Sequence, residues 1–246
     1  MWDPDQYERF KSERKQPFID LLALVERRPD MRVVDLGCGT GELTRELHET
    51  LRAKETTGVD NSKEMLAKAK PSGTLRFELT GIESYTPPHP VDLIFSNAAL
   101  HWVRDHEKLI ARLAAFLAPH GQIAIQMPAN DSHVSHSTAA EVAREFGVEP
   151  RHDPLLDIAE YAALLFELGF KRQNVRMQIY GHELESKANV IEWVKGTLLT
   201  DYEKRLGDRY AGFLAEYRKR LLARLSDAQP FFYTYKRVLI LGQDRV

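Results

Sequence analysis

Three glycines stand at alternate positions in Asp35-Leu36-Gly37-Cys38-Gly39-Thr40-Gly41-Glu42, between an apolar run and an amphipathic stretch. A bend so poor in side chains lets the backbone touch a ligand and adopt conformations that other residues resist. The helix behind it turns its first N–H groups toward whatever lies there. Spacing then narrows the ligand. A dinucleotide-binding turn has a small residue at the third place of G-x-G-x-x-G or G-x-G-x-x-A. That place is Glu42 here, a carboxylate that repels a pyrophosphate and tolerates a cation. The alternative is a strand-to-helix turn with no ligand, which has little need of so many glycines.

A second acidic residue, Asp60, closes the run Thr56-Thr57-Gly58-Val59-Asp60. At the carboxyl edge beside the bend, an acid in this place accepts both hydroxyls of a ribose. Asn61 and Ser62 follow. Ser62 suits the N-cap of the next short helix, which leaves Asp60 to the ligand. Met65, in that helix, has two readings: a thioether against an adenine edge, or core packing. Cys38 is the sole cysteine, so the chain forms no internal disulfide. Inside a tight turn it reads as a small filler rather than a nucleophile.

These groups need a scaffold, and the order of elements supplies one. Residues 6 to 28 read as a helix that Pro17 divides. Strands follow at 31–36, 56–60, 75–79, 91–96 and 122–128, with helices at 41–51, near 65 and at 105–117. The fourth strand is mostly apolar, as one buried on both faces should be. Later come helices at 138–146 and 157–168, a strand at 175–180, helices at 188–199 and 209–225, and a last strand at 232–241. Strands alternating with helices imply an α/β fold with a Rossmann-like, doubly wound, mostly parallel seven-stranded sheet, its ligands at the carboxyl edge. The expected parts are an N-terminal cap helix (1–29), a core (30–185), a helical cap insertion (186–230) and the last core strand (231–246).

Length and charge set bounds. The chain has 246 residues, with 34 basic and 36 acidic side chains and a net charge of −2. That balance argues against nucleic acid or an anionic membrane as the main partner. No apolar run reaches the ~20 residues that span a bilayer, and the N-terminus lacks the pattern of a signal peptide. A soluble, cytoplasmic protein is the expectation, as a monomer or small homo-oligomer.

Asp35 to Gly41, together with Asp60, resembles the first motifs of class I S-adenosylmethionine (SAM) methyltransferases. The resemblance implies SAM as cofactor, S-adenosylhomocysteine as product, and cofactor contacts from Asp35, Gly37, Cys38, Gly39, Asp60, Asn61 and Met65. Many members carry an acid after the third strand for the adenine amine. This chain has Thr80-Gly81-Ile82 there, so adenine would rest on backbone groups of Gly81 and Ile82. Asn97 would meet the cofactor through its backbone. No Asp/Asn-Pro-Pro-Tyr/Phe follows the fourth strand, where nucleic-acid amine methyltransferases have it, and no carboxylate cluster suggests a metal.

A closer resemblance runs nearly end to end. It is to methyltransferases that esterify small polycarboxylic acids such as trans-aconitate. Its carriers are Trp2-Asp3-Pro4 with Tyr7, Phe10, Glu13 and Arg14; Asn97 to Trp102; Gln126-Met127-Pro128; and Glu192 to Thr197. It implies a small carboxylic acid as partner. A carboxylate is ionised at neutral pH and needs neither a general base nor a metal, only placement in line with the methyl. Positive charge and donors must hold its other carboxylates. Candidates are Tyr7, Arg14, His101, Trp193, Lys195, Tyr233 and Arg237, with Tyr235 and Lys236 nearby. Arg237 matches an arginine in the last strand of the resembled group. His101 is either a packing residue beside the cofactor or a base for a hydroxyl substrate. Other acceptors, such as malonyl-carrier protein or a hydroxyl, and a SAM-binding protein without catalysis, remain alternatives.

Overall fold

The computed structural model describes residues 11–245 except Asp153, with side chains from Lys15 onward. Seven strands form one sheet in the order β3-β2-β1-β4-β5-β7-β6. They are β1 (Arg32–Leu36), β2 (Glu55–Asp60), β3 (Leu75–Leu79), β4 (Val91–Asn97), β5 (Leu117–Pro128), β6 (Phe170–Leu184) and β7 (Phe231–Arg245). The first five run parallel, and β7 pairs antiparallel with β5. The expected seven-stranded, mostly parallel sheet is the fold observed.

The chain divides into two compact units. The larger holds Gln16–Pro128, Pro154–Gln178 and the chain from Arg237 on. Alternation along its strands explains its layers. Val34, Leu36, Ile94, Ile123 and Ile125 face one way, into a core with α4 (His106–Ala114) and α6 (Ile158–Glu167). Val33, Leu93, Phe95 and Ala124 face the other way, against α1 (Lys11–Leu24) and α2 (Glu42–Leu51). Strands that are apolar on both faces can lie only inside such a sandwich.

The smaller unit holds, among the described residues, 11–15, 129–152 and Ile179–Lys236. Its core joins α5 (Val134–Glu145), α7 (Asn189–Lys195), α8 (Leu198–Leu206) and α9 (Tyr210–Arg224) to Phe231, Tyr233 and Tyr235. Arg220 and Arg224 of α9 pair with Glu145 and Glu141 of α5, each at 2.6 Å. This unit is wider than the expected 186–230 insertion, because α5 and the ends of two strands share its core. Among the described residues no helix is long and apolar enough to cross a membrane.

Three local expectations are corrected. Pro17 lies inside α1 without dividing it; Phe18, Leu21 and Leu22 keep one buried face across that point. The helix expected over 188–199 is two, α7 and α8, broken at Gly196 and Thr197. The three last strands are longer than their alternation suggested. β5 begins at Leu117, where the helix was expected to end.

One buried side chain ties the segment that follows α1 to the sheet. Gln122 is 1% exposed. Its Oε1 accepts from the Glu26 N–H at 2.9 Å and from Gln243 Nε2 at 2.7 Å, and its Nε2 donates to the Glu26 carbonyl at 2.8 Å. Gln122→Leu removes all three bonds and strands buried partners. Chemical denaturation followed by circular dichroism should show a loss of about 2–4 kcal/mol.

Candidate active site

The bend between β1 and α2 is built on three left-handed glycines, with φ of 78° at Gly37, 56° at Gly39 and 73° at Gly41. Two of them also lack room for a Cβ. At Gly37 it would lie 2.1 Å from the Ala99 Cβ, and at Gly41 2.5 Å from the Phe77 ring. Over Gly39 a Cβ would meet only the terminal methyl of Met65, at 3.3 Å. The backbone is stitched to β2. Gly37 and Cys38 both donate to the Val59 carbonyl, at 2.8 and 3.0 Å. Gly39 donates to Oδ2 of Asp60 at 2.8 Å.

Asp60 is thereby held from two sides, since its Oδ1 accepts the Ser62 N–H at 2.8 Å. Each carboxylate oxygen has two acceptor positions, so both keep one for a diol. Ser62 also caps α3 (Lys63–Leu66) by accepting the Met65 N–H. Asp35 is 4% exposed and accepts the Thr44 hydroxyl at 2.6 Å. It therefore pins the first turn of α2 behind the bend. Burial lifts its carboxyl to about 6, the Asp60 charge adds to the rise, and the Thr44 bond opposes it. Burial, then the charges of Asp35 and Asp60, push the Cys38 thiol up. It stays protonated and packs beside Gly58, as a filler would.

Phe77 and Gly58 were not legible as site residues. The Phe77 ring covers both Gly41 and Gly58, where an added Cβ would sit 2.7 Å from it. A glycine within a strand was the available signal, because such positions admit a close neighbour. Arg112 was missed as well. Its Nη2 donates to the Ile82 carbonyl at 2.5 Å and its Nη1 to the Tyr85 carbonyl at 2.8 Å. The Gly81 carbonyl accepts from Ser84 and Tyr85 at 3.0 Å each. The Gly81 carbonyl is thereby filled, while the Ile82 carbonyl keeps one of its two acceptor positions. A Cβ on Gly81 would meet nothing within 4 Å.

At the end of β4, Ala98 takes a left-handed φ of 55°, a strain that brings Ala99 against Gly37. The Asn97 Oδ1 is buried and finds no donor among the described residues. Such an orphan costs about 1–3 kcal/mol, so it marks a place for a ligand's N–H. Gln126 is the cross-strand partner of Asn97. Its Oε1 accepts from Nη1 of Arg237 at 3.3 Å. His101 is buried in the 3-10 turn Leu100–Trp102, its ring 4.9 Å from that of Trp102.

The remaining expected substrate residues belong to the smaller unit or fall outside the described residues. Tyr7 and the Arg14 side chain fall outside the described residues. In the smaller unit, the buried Trp193 ring lies 4.3 Å from that of His182, tilted, and 5.7 Å from that of Tyr233, edge-on. Burial pushes the Tyr233 hydroxyl well up. Lys195 already has a partner: its Nζ lies 2.7 and 2.9 Å from the two carboxylate oxygens of Glu192. In the protein alone Lys195 forms an ion pair along its own helix. Among the described residues no three His, Cys, Asp or Glu side chains converge as a metal would require.

With Asp60, the Asn97 oxygen and Glu42, this edge is rich in acceptors. It fits a ligand carrying an ammonium, a diol and a positive centre, and opposes a pyrophosphate. The raised Asp35 gives a pH signature. Its folded value of about 6 exceeds the ordinary 3.8, so the folded state loses stability as pH rises through that window. Asp35→Asn keeps an acceptor for Thr44 without the charge. It should be more stable than the parent at pH 7.5, by up to about 3 kcal/mol. The gap should close by pH 4, as read from denaturation midpoints across pH.

A family model described as a methyltransferase domain matches residues 7–175. Among curated relatives, trans-aconitate 2-methyltransferase of Deinococcus radiodurans is 40% identical, aligning over 98% of this chain and 97% of its own. The enzyme of that name from Variovorax paradoxus is also 40% identical, over 89% and 88%. Among solved structures, the YcgJ protein of Bacillus subtilis shares the fold at a TM-score of 0.63 and 20% identity, over 94% of this chain and 99% of its own. The chain belongs to the methyltransferase-domain family, and within it to the family of the trans-aconitate 2-methyltransferases.

Proposed function

We propose that this protein transfers the methyl group of SAM to a carboxylate of a small polycarboxylic acid, with trans-aconitate as the acceptor, giving a methyl ester. The observation that carries the cofactor half is the Asp60 carboxylate, fixed by Gly39 and Ser62 with one acceptor position left on each oxygen. The acceptor half rests on the relatives' substrate and on Arg237 at the same sheet edge.

SAM, when bound, supplies a methyl group on a sulfonium to a nucleophile placed in line with it. Asp60 would hold the ribose hydroxyls, and the bend Gly37-Cys38-Gly39 would lie against the amino-acid part. Asn97 Oδ1 would take an ammonium N–H that it lacks in the protein alone. The N–H groups of Gly81 and Ile82 would face adenine, beside Met65 and Ile82 side chains. Asn61, next to Asp60, would contact the ribose edge. Asp35 would act by holding α2. The acceptor carboxylate is already ionised, so no residue has to remove a proton. Arg237 would clamp a carboxylate through its planar fork, which suits that geometry better than a lysine. His101, in the same unit as Asp60 and Arg237, would shape and dry the acceptor's surroundings.

A radiolabelled transfer assay over di- and tricarboxylates should show turnover with trans-aconitate and a product cleaved by mild alkali. An alkali-stable ether, or labelling only of a carrier protein, would overturn the acceptor assignment. SAM binding with no turnover on any acceptor would make the protein a binder. Asp60→Ala should weaken SAM binding by at least about tenfold in calorimetry. Arg237→Ala should cost about 2–4 kcal/mol in kcat/KM for the acid.

A further inference from the structure

Gln126 is fully buried at the carboxyl end of β5. Its two amide atoms can be told apart by chemistry. Arginine donates and never accepts. The Gln126 atom 3.3 Å from Arg237 Nη1 must therefore be the oxygen. That leaves Nε2, an amide N–H₂, buried and without an acceptor among the described residues. A buried amide left in this state is costly, and an apolar residue of the same shape would be cheaper. The neighbours explain why no protein group satisfies it. Asn97 is its cross-strand partner, but the two side chains make no bond. Arg237 stands two residues from Leu239, the β7 partner of Gln126, on the same face of the sheet. Gln126 thus adds an oriented donor beside a guanidinium, within one compact unit.

We propose that Gln126 is a specificity-determining residue that donates from Nε2 to the acid's non-reacting carboxylate, the one that Arg237 clamps. This rests on the carboxyl-methyltransferase reading above. A carboxylate offers acceptors on both oxygens, so one oxygen can face the guanidinium and the other the amide. A carboxamide or an ester in that place has fewer acceptors, and a carboxamide would set its own N–H₂ against these donors. The pair therefore selects an ionised second carboxylate. The carboxylate it holds is not the one methylated, because strong donors on the nucleophile would withdraw its electron density.

The test uses the full chain with S-adenosylhomocysteine present, and titrates trans-aconitate by calorimetry beside steady-state assays. Gln126→Met keeps length and volume and loses the amide; Gln126→Glu turns the donor into an acceptor. Both should weaken trans-aconitate binding at least tenfold and raise its KM, with affinity for S-adenosylhomocysteine unchanged. The Gln126→Met melting temperature should hold or rise, since a stranded buried donor is gone. A role confined to packing predicts the reverse: a lower melting temperature with acid affinity intact. If the parent protein binds trans-aconitate and both variants bind it equally well, the assignment of Gln126 falls and the acceptor reading stands. If the parent binds no di- or tricarboxylate at all, both fall.

Discussion

The hydrogen bond from the Gly39 amide to the Asp60 carboxylate joins the two halves of the cofactor site. It is charge-assisted, a class stronger than neutral pairs. It also demands that β1 and β2 sit in one register, with Asp35 opposite Gly58 and Leu36 opposite Val59. A slip of one residue would turn Asp60 to the other face of the sheet. The double acceptance by the Val59 carbonyl reinforces the same register. The positions of the bend, of Asp60 and of the helix behind them therefore follow from sheet pairing rather than from any contact with a ligand.

The polarity of the edge changes over a short distance. Asn97 offers an orphaned acceptor, while Gln126 beside it is tied to a cation, Arg237. Neighbouring strands are about 4.8 Å apart. Within one strand spacing the lining passes from groups that suit a cation to groups that suit an anion. Transfer from a sulfonium to a carboxylate needs that reversal at the reacting centre. Two opposite charges must approach, yet each must be held by its own partners.

Much of this was legible because chemistry and local geometry coincided. The glycines of the bend and the Ser62 cap each have one task that residue type and spacing express. The strands buried on both faces were plain from their apolar runs. What was not legible depends on distant partners. Phe77 reads as one more apolar strand residue, and only folding lays its ring over Gly41 and Gly58. Arg112 reads as the polar face of a helix until its bonds to the 82–85 turn appear. The pairing of Lys195 with Glu192, three residues earlier, is by contrast expressed in helical spacing alone. The capping box of Asp157 and Glu160 is equally readable from spacing.

Several locally unfavourable features gather at this one edge: a left-handed Ala98, a buried and raised Asp35, and orphaned polar atoms on Asn97 and Gln126. Each is destabilising in the protein alone, and the two orphaned atoms would gain partners from a ligand. The apolar layers on both faces of the sheet supply the stability that offsets them. This arrangement suits a reaction without a general base. When the nucleophile arrives ionised, catalysis rests on position and on how weakly the reacting oxygen is solvated. A clamp on the reacting carboxylate would oppose transfer, because it stabilises the ground-state anion more than the ester. Strong donors therefore belong on the acid's other carboxylate, and an edge with a guanidinium and an oriented amide side by side provides them without touching the oxygen that reacts.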